Sequence, residues 1–255
     1  MVISDGQLLD LFGRFLWPFI RISAFILVAP LYGSTMVPRL VKISFALVIA
    51  GFIGISNVQI PTFQVNFVAI EVEVIQQVLF GIILGMAVQI IIAGISCAGE
   101  ICGIAMGLSF AQLQFGESTS DSPVLYDLMV WVGLMGFIAM DGPVWLISGF
   151  VHSFDQGIYP PNFSVFASLA GFGEAVFLEA IELSIPVIAA AIMVNVVVGI
   201  ASVFSSSLNL MSVGFPVLIL VCLAIFIVSI PMFGDIIDKA IRTGMEAMLL
   251  VESNG

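Results

Sequence analysis

Glu179 and Glu182 stand three residues apart in an apolar run, so on a helix they share one face. Carboxylates at membrane depth are expensive unless paired or used, and two uses fit here: proton relay in a secondary transporter, or polar anchorage to neighbouring chains. Arg21, Glu100 and Asp141 lie within or against similar apolar runs, where a charge is usually paired or functional, and the two carboxylates carry the same alternatives. A proton-coupled transporter would show two similar halves with paired broken helices, whereas no repeat relates residues 1–127 to 128–255. Anchorage is therefore the favoured reading. Other chemistry is sparse. His152, the single histidine, sits beside Phe150 and Phe154 without a nucleophile motif, which suits an interfacial or structural position better than catalysis. Cys97 and Cys102 are five apart and fall on different helix faces, and Cys222 lies in a separate run, so the three read as small packing residues. No phosphate-binding loop occurs, and the sequence predicts neither an enzyme nor a bound cofactor or metal.

Composition sets the class in which these residues act. Of 255 residues, 61% are apolar and 9% charged, with a mean hydropathy of +1.23, which places the chain among integral membrane proteins. A net charge of −11 with only 6 basic side chains excludes a nucleic-acid partner and disfavours anionic lipid. The first ten residues hold two aspartates and no basic cluster, so no cleavable signal peptide is expected. Between Lys42 and Lys239 there is no lysine or arginine, yet 13 acidic residues fall there. Membrane proteins normally write their orientation in flanking basic residues, so this region lacks the main topology signal.

Six apolar segments are expected: Leu11 to Tyr32, Leu40 to Ser56, Val74 to Ala98, Val124 to Phe150, Ala175 to Phe204 and Val213 to Phe233, followed by an amphipathic tail over 235–255. Ser4-Asp5-Gly6-Gln7 fits a capping box ahead of the first. The second is short for a bilayer, and Asp141-Gly142-Pro143 should break or bend the fourth. Six complete crossings would put the Arg39 and Lys42 cluster on the opposite side from Lys239 and Arg242. Either at least one segment is therefore re-entrant, covered by protein or lining a cavity, with the second and fourth as candidates, or the chain does not sit in lipid as an ordinary bundle.

Small residues mark the packing faces. Gly99, Gly103 and Gly107 recur every four residues, and Gly81 with Gly85 form a GxxxG on the same helix or one before it. Met106, Leu108, Phe110, Leu113 and Phe115 then lead into the polar stretch Gly116-Glu117-Ser118-Thr119-Ser120-Asp121, and Ser122-Pro123 restarts a helix. Bulky apolar groups beside a polar loop suit a hydrophobic constriction closing a pore, and suit a loop packed on a partner equally.

These residues also carry a resemblance. Arg21-Ile22-Ser23-Ala24-Phe25, Pro30, Gly33 and Val37-Pro38-Arg39-Leu40-Val41-Lys42 resemble the N-terminal signature of the FliR family of type III secretion export-gate subunits. Gly107-Leu108-Ser109-Phe110-Ala111 is similar to its central loop, and Leu208-Asn209 with Gly214-Phe215-Pro216 to its C-terminal motif, in the right order over nearly the whole chain. Three places depart from the family pattern: Phe115-Gly116, Asp141-Gly142-Pro143 and Ser205-Ser206-Ser207.

The resemblance implies an all-α membrane protein of bent helical hairpins with re-entrant segments, one FliR-like domain over 1–255, forming part of a helical multi-subunit gate. It implies FliP-like and FliQ-like gate partners, an FlhB-like switch subunit, unfolded flagellar substrates, and a place in the flagellar basal body at the bacterial inner membrane. The stretch from Met106 to Pro123 would help plug the closed channel, and Arg21, Arg39, Glu100, Asp141, Glu179, Glu182 and Asn209 would be buried polar or inter-subunit residues. A virulence injectisome subunit shares this architecture.

Overall fold

The computed structural model describes residues 5–30, 38–56, 67–108, 124–155, 163–204 and 214–253. Among them the chain is all-helical: α1 Asp5–Val28, α2 Arg39–Ile55, α3 Phe67–Ala105, α4 Val124–Ala139, α5 Gly142–Asp155, α6 Phe163–Phe204 and α7 Phe215–Ser253. Among the described residues three helices are long and apolar enough to cross a membrane, within Leu11–Val28, Ala69–Ala105 and Phe166–Phe204, and the bent pair α4 and α5 makes a fourth if counted as one broken span. The expected all-α membrane class holds. The broken fourth segment was legible in its residues, and α2 is short as expected.

Three expectations about element bounds change. The third apolar segment and the glycine series form one helix, α3, whose 39 residues extend about 58 Å at a 1.5 Å rise. The fifth begins twelve residues earlier than its apolar core, because α6 starts at Phe163 and runs for 42 residues through Pro186. The described part of the amphipathic tail continues α7, which passes through Pro231 without ending. In each case hydropathy marks the apolar stretch, while backbone hydrogen bonding carries the helix past it.

The break between α4 and α5 has a local cause. Met140 N–H closes the last turn on Gly136 O, and Asp141 takes a left-handed φ of 58°. Aspartate is among the few non-glycine residues that tolerate this region. The Asp141 carbonyl then accepts the N–H groups of Val144 and Trp145, opening α5. Pro143 sits in that first turn, where a missing N–H costs nothing.

The chain divides into two compact units, one of residues 1–90, 141–172 and 242–255, the other of 91–140 and 173–241. In the first, α1 packs on α2, and Trp17, Ile22, Phe25, Ile53, Phe150 and Phe154 are fully or almost fully buried. Phe25 and Phe150 meet edge to face with ring centres 5.1 Å apart. In the second, Ile91, Ile92, Ala98, Cys102, Met106, Leu183, Val187 and Cys222 make the core.

Candidate assembly and channel residues

In the first unit the apolar core is built around a cation. Arg21 is wholly buried; its Nε donates to Gln77 Oε1 at 2.8 Å, and its Nη1 donates to Ser153 Oγ. The guanidinium lies 3.7 Å from the centre of the Phe154 ring and 4.9 Å from that of Phe80. Arginine suits this site because its planar fork can hydrogen-bond at the edges while its faces rest on aromatic rings. The result ties α1, α3 and α5 at one point. Sequence reasoning singled out Arg21 but missed Gln77 and Ser153; an amide one turn before Gly81, in an otherwise apolar run, was the available signal.

The glycines of α3 divide by what surrounds them. A side chain at Gly81 would run into the Arg21 carbonyl and stand 2.7 Å from Ala24 Cβ, and one at Gly85 would stand 2.8 Å from Val28 Cβ. These two glycines let α1 and α3 meet at backbone distance, as the GxxxG spacing predicts. In the second unit, a side chain at Gly99 would reach 2.6 Å from the Leu125 carbonyl and clash with Met129 on α4. Gly103 differs, since its nearest neighbour would be Leu125 Cβ at 3.7 Å, an ordinary contact. Close approach on this face is set by Gly99. Gly94, which the four-residue series skips, would clash with Val176 on α6.

Gly107 ends α3 by a different device. It adopts φ 74°, and its N–H bonds to Ile104 O while Met106 N–H bonds to Cys102 O. A left-handed residue after the last turn stops a helix, and glycine does so without strain. The Phe215 ring closes over the turn, 2.9 Å from where a Cβ would stand. Met106 is wholly buried and Leu108 partly so. Phe110, Leu113 and Phe115, like Asn209, lie outside the described residues. The side chain of His152 does too.

The charged residues resolve unevenly. Glu179 is 8% exposed and accepts from Lys239 Nζ through Oε1 at 2.8 Å, while its Oε2 is buried without a hydrogen-bond partner. Contact with Glu179, as hydrogen bond and as charge, pushes the exposed Lys239 ammonium above the usual lysine range, and Glu182 adds to it. Lys239, read from sequence only as an orientation signal, thus supplies from the same chain one of the basic partners that the central acids lacked. Glu100 is partly buried, but Arg39, Asp141 and Glu182 are exposed on this chain. Of the two readings they carried, buried polar or inter-subunit, burial within this chain does not apply to Arg39, Asp141 and Glu182, whose charges face outward from it. Cys97, Cys102 and Cys222 are free thiols, and Cys102 and Cys222 are core residues as expected.

Known proteins give this arrangement its context. The family profile described as "Bacterial export proteins, family 1" matches residues 12–244. The protein named flagellar biosynthetic protein FliR of Escherichia coli (strain K12) is 32% identical over 237 residues, covering 91% of this chain and 90% of its own. The protein of that name from Bacillus subtilis (strain 168) is 28% identical, covering 95% and 96%, and that from Aquifex aeolicus (strain VF5) 26%, covering 84% of each. The match runs over most of the length of both partners in each case. This chain, with its apolar helices, belongs to the FliR family and is a membrane-embedded export component of flagellar biosynthesis.

Proposed function

We propose that the chain is a structural channel subunit of the flagellar type III export gate in the bacterial inner membrane, at the flagellar basal body. It assembles with FliP-like and FliQ-like subunits, meets an FlhB-like subunit, and passes unfolded flagellar substrates, with its central loop helping to close the pore. The observation that carries this reading is α6. Only 17% of its apolar window is buried within the chain, against 56% for α3. Ile185, Ile192, Met193, Val196, Val197, Ile200 and Val203 on it are all more than half exposed, so this long apolar surface is supplied for other chains or lipid. Exposed Arg39, Asp141 and Glu182 supply polar contacts at such an interface.

Co-expression with FliP-like and FliQ-like subunits, followed by mass measurement of the purified assembly, tests the partners. A defined multi-subunit mass containing this chain is expected; recovery of the chain alone would overturn the reading. Deleting Leu108 to Phe115 tests the pore role. Assembled complexes should then leak ions, and unchanged permeability with verified assembly would exclude the loop from closure.

A further inference from the structure

The chain as a whole is too acidic to favour anionic lipid, but its charge is unevenly placed. From Leu11 to Ile70 there is no aspartate or glutamate, and Arg14, Arg21, Arg39 and Lys42, four of the 6 basic residues, fall there. Arg21 is spent inside the core, which leaves Arg14 and Arg39 exposed and Lys42 half-buried on α1 and α2. α2 packs on α1 and buries Ala46, Ile49, Ala50 and Ile53. About half of its circumference remains, apolar and uncovered by this chain: Leu40, Val41, Leu47, Val48, Phe52 and Ile55 are exposed, the last at 87%. α1 is long and apolar enough to cross a membrane, so α2 beside it is held at membrane depth.

We propose that the outward half of α2 faces lipid acyl chains, with Arg39 and Lys42 set in a layer of anionic headgroups. Helices that meet other helices at membrane depth offer small residues or directional polar groups. This face offers neither. The hydroxyls of Ser44 and Ser56 donate to the Leu40 and Phe52 carbonyls of their own helix, at 2.8 Å each. Gly51 stands between Leu47 and Ile55 at four-residue spacing, so no small-residue seam forms. The apolar surface of α6 is different, because exposed Glu174, Glu182 and Asn195 interrupt it. Charge then selects the lipid. Arg39 and Lys42 lie in the first turn of α2, where the helix dipole disfavours cations, so their placement serves something outside the helix. At the other end a Cβ on Gly54 would stand 2.9 Å from the Arg14 carbonyl, which puts Arg14 beside the end of α2. The apolar face between these cations is about 22 Å long at 1.5 Å per residue. Basic side chains that extend along apolar surface to the headgroups adapt it to a hydrocarbon layer of about 30 Å. The inference rests on the membrane placement of the chain and goes beyond its part in the gate.

The test uses the full chain in the assembly it forms, reconstituted into vesicles of equal parts phosphatidylcholine and phosphatidylglycerol. Bromine is placed high on the acyl chains of one lipid or the other. Leu40→Cys and Phe52→Cys each carry a bromine-sensitive fluorophore; both positions are exposed, so a label there leaves the core intact. The unsubstituted chain, with Cys97, Cys102 and Cys222, sets the labelling background. Either brominated lipid should quench the label at position 52. At position 40 brominated phosphatidylglycerol should quench more strongly than brominated phosphatidylcholine. Arg39→Gln and Lys42→Gln should each lower that preference about fivefold, the factor that about 1 kcal/mol per basic side chain represents. A label at position 52 that neither lipid quenches would mean that another protein chain covers α2, and would overturn the proposal. Equal quenching by the two lipids at position 40, or a preference that survives both glutamine substitutions, would sink the headgroup contact.

Discussion

The Lys239 ammonium lies 2.8 Å from Oε1 of Glu179, joining α7 to α6 within the second unit. From Leu183 to Phe204 in α6 and from Phe215 to Gly234 in α7 there is no charged residue. Those limbs are about 33 Å and 30 Å long at 1.5 Å per residue, close to a bilayer's hydrocarbon thickness. The pair therefore sits just beyond the charge-free part of both helices, where an exposed lysine keeps its hydration and a nearly buried carboxylate gains a partner.

Reversing one charge should separate the helices at this boundary. Lys239→Glu is expected to reduce recovery of folded chain from membranes, and Glu179→Lys with Lys239→Glu to restore part of it. Restoration is read as detergent-soluble yield and thermal midpoint; a double variant no better than the worse single one would show that the contact carries no specific pairing. The pH dependence has a definite sign. Because Glu179 raises the Lys239 pKa above its ordinary 10.5, the stabilisation is complete below that value and is lost as pH rises through the higher folded value. Thermal midpoints measured from neutral to strongly alkaline pH should fall further in the native chain than in Lys239→Gln.

Two glycines of α3 should respond in opposite ways to the same methyl group. Gly81→Ala forces α1 away from α3 and is expected to cost about 1–3 kcal/mol or more, since the obstruction is backbone. Gly103→Ala finds room and gains helix propensity, so its effect should be neutral or slightly stabilising. Chemical or thermal unfolding of the purified variants decides between them, and equal losses at both would mean that the four-residue spacing, and not local distance, sets the packing.

Gly107→Ala combines a left-handed φ with a ring overhead. The conformational part costs about 1–2 kcal/mol. Phe215→Ala in the same chain should remove the collision but not the φ strain, so the double variant is expected to recover only part of the lost stability. Full recovery would locate the whole cost in the ring.

Arg21→Lys keeps the charge and loses the fork. One ammonium on a flexible stem cannot bond Gln77 and Ser153 while resting between Phe154 and Phe80. A destabilisation of about 2–3 kcal/mol is expected from the loss of one charged hydrogen bond. Unfolding measurements that find the two side chains equivalent would reduce Arg21 to a buried charge of no particular shape.

What could be read in the residues follows from how strongly local chemistry restricts a chain. Apolar runs of membrane length, the Asp141-Gly142-Pro143 break and the Gly81, Gly85 face were all visible, because backbone chemistry and solvent fix them wherever the chain folds. The partners of Arg21 and Glu179 were not. Gln77 and Ser153 are 56 and 132 residues from Arg21, and Lys239 is 60 from Glu179, so no periodicity connects them.

Hydropathy and charge act residue by residue, so an all-helical membrane chain short of basic partners for its central acids could be read from its residues. Which acids are buried, and what compensates them, depends on how the helices pack. Glu179 and Glu182 look alike on one helix face, yet one is nearly buried against Lys239 and the other is exposed. The cost of a charge depends on the dielectric around it and the distance to its partner. Both are properties of packing, and neither is written in the identity of the residue.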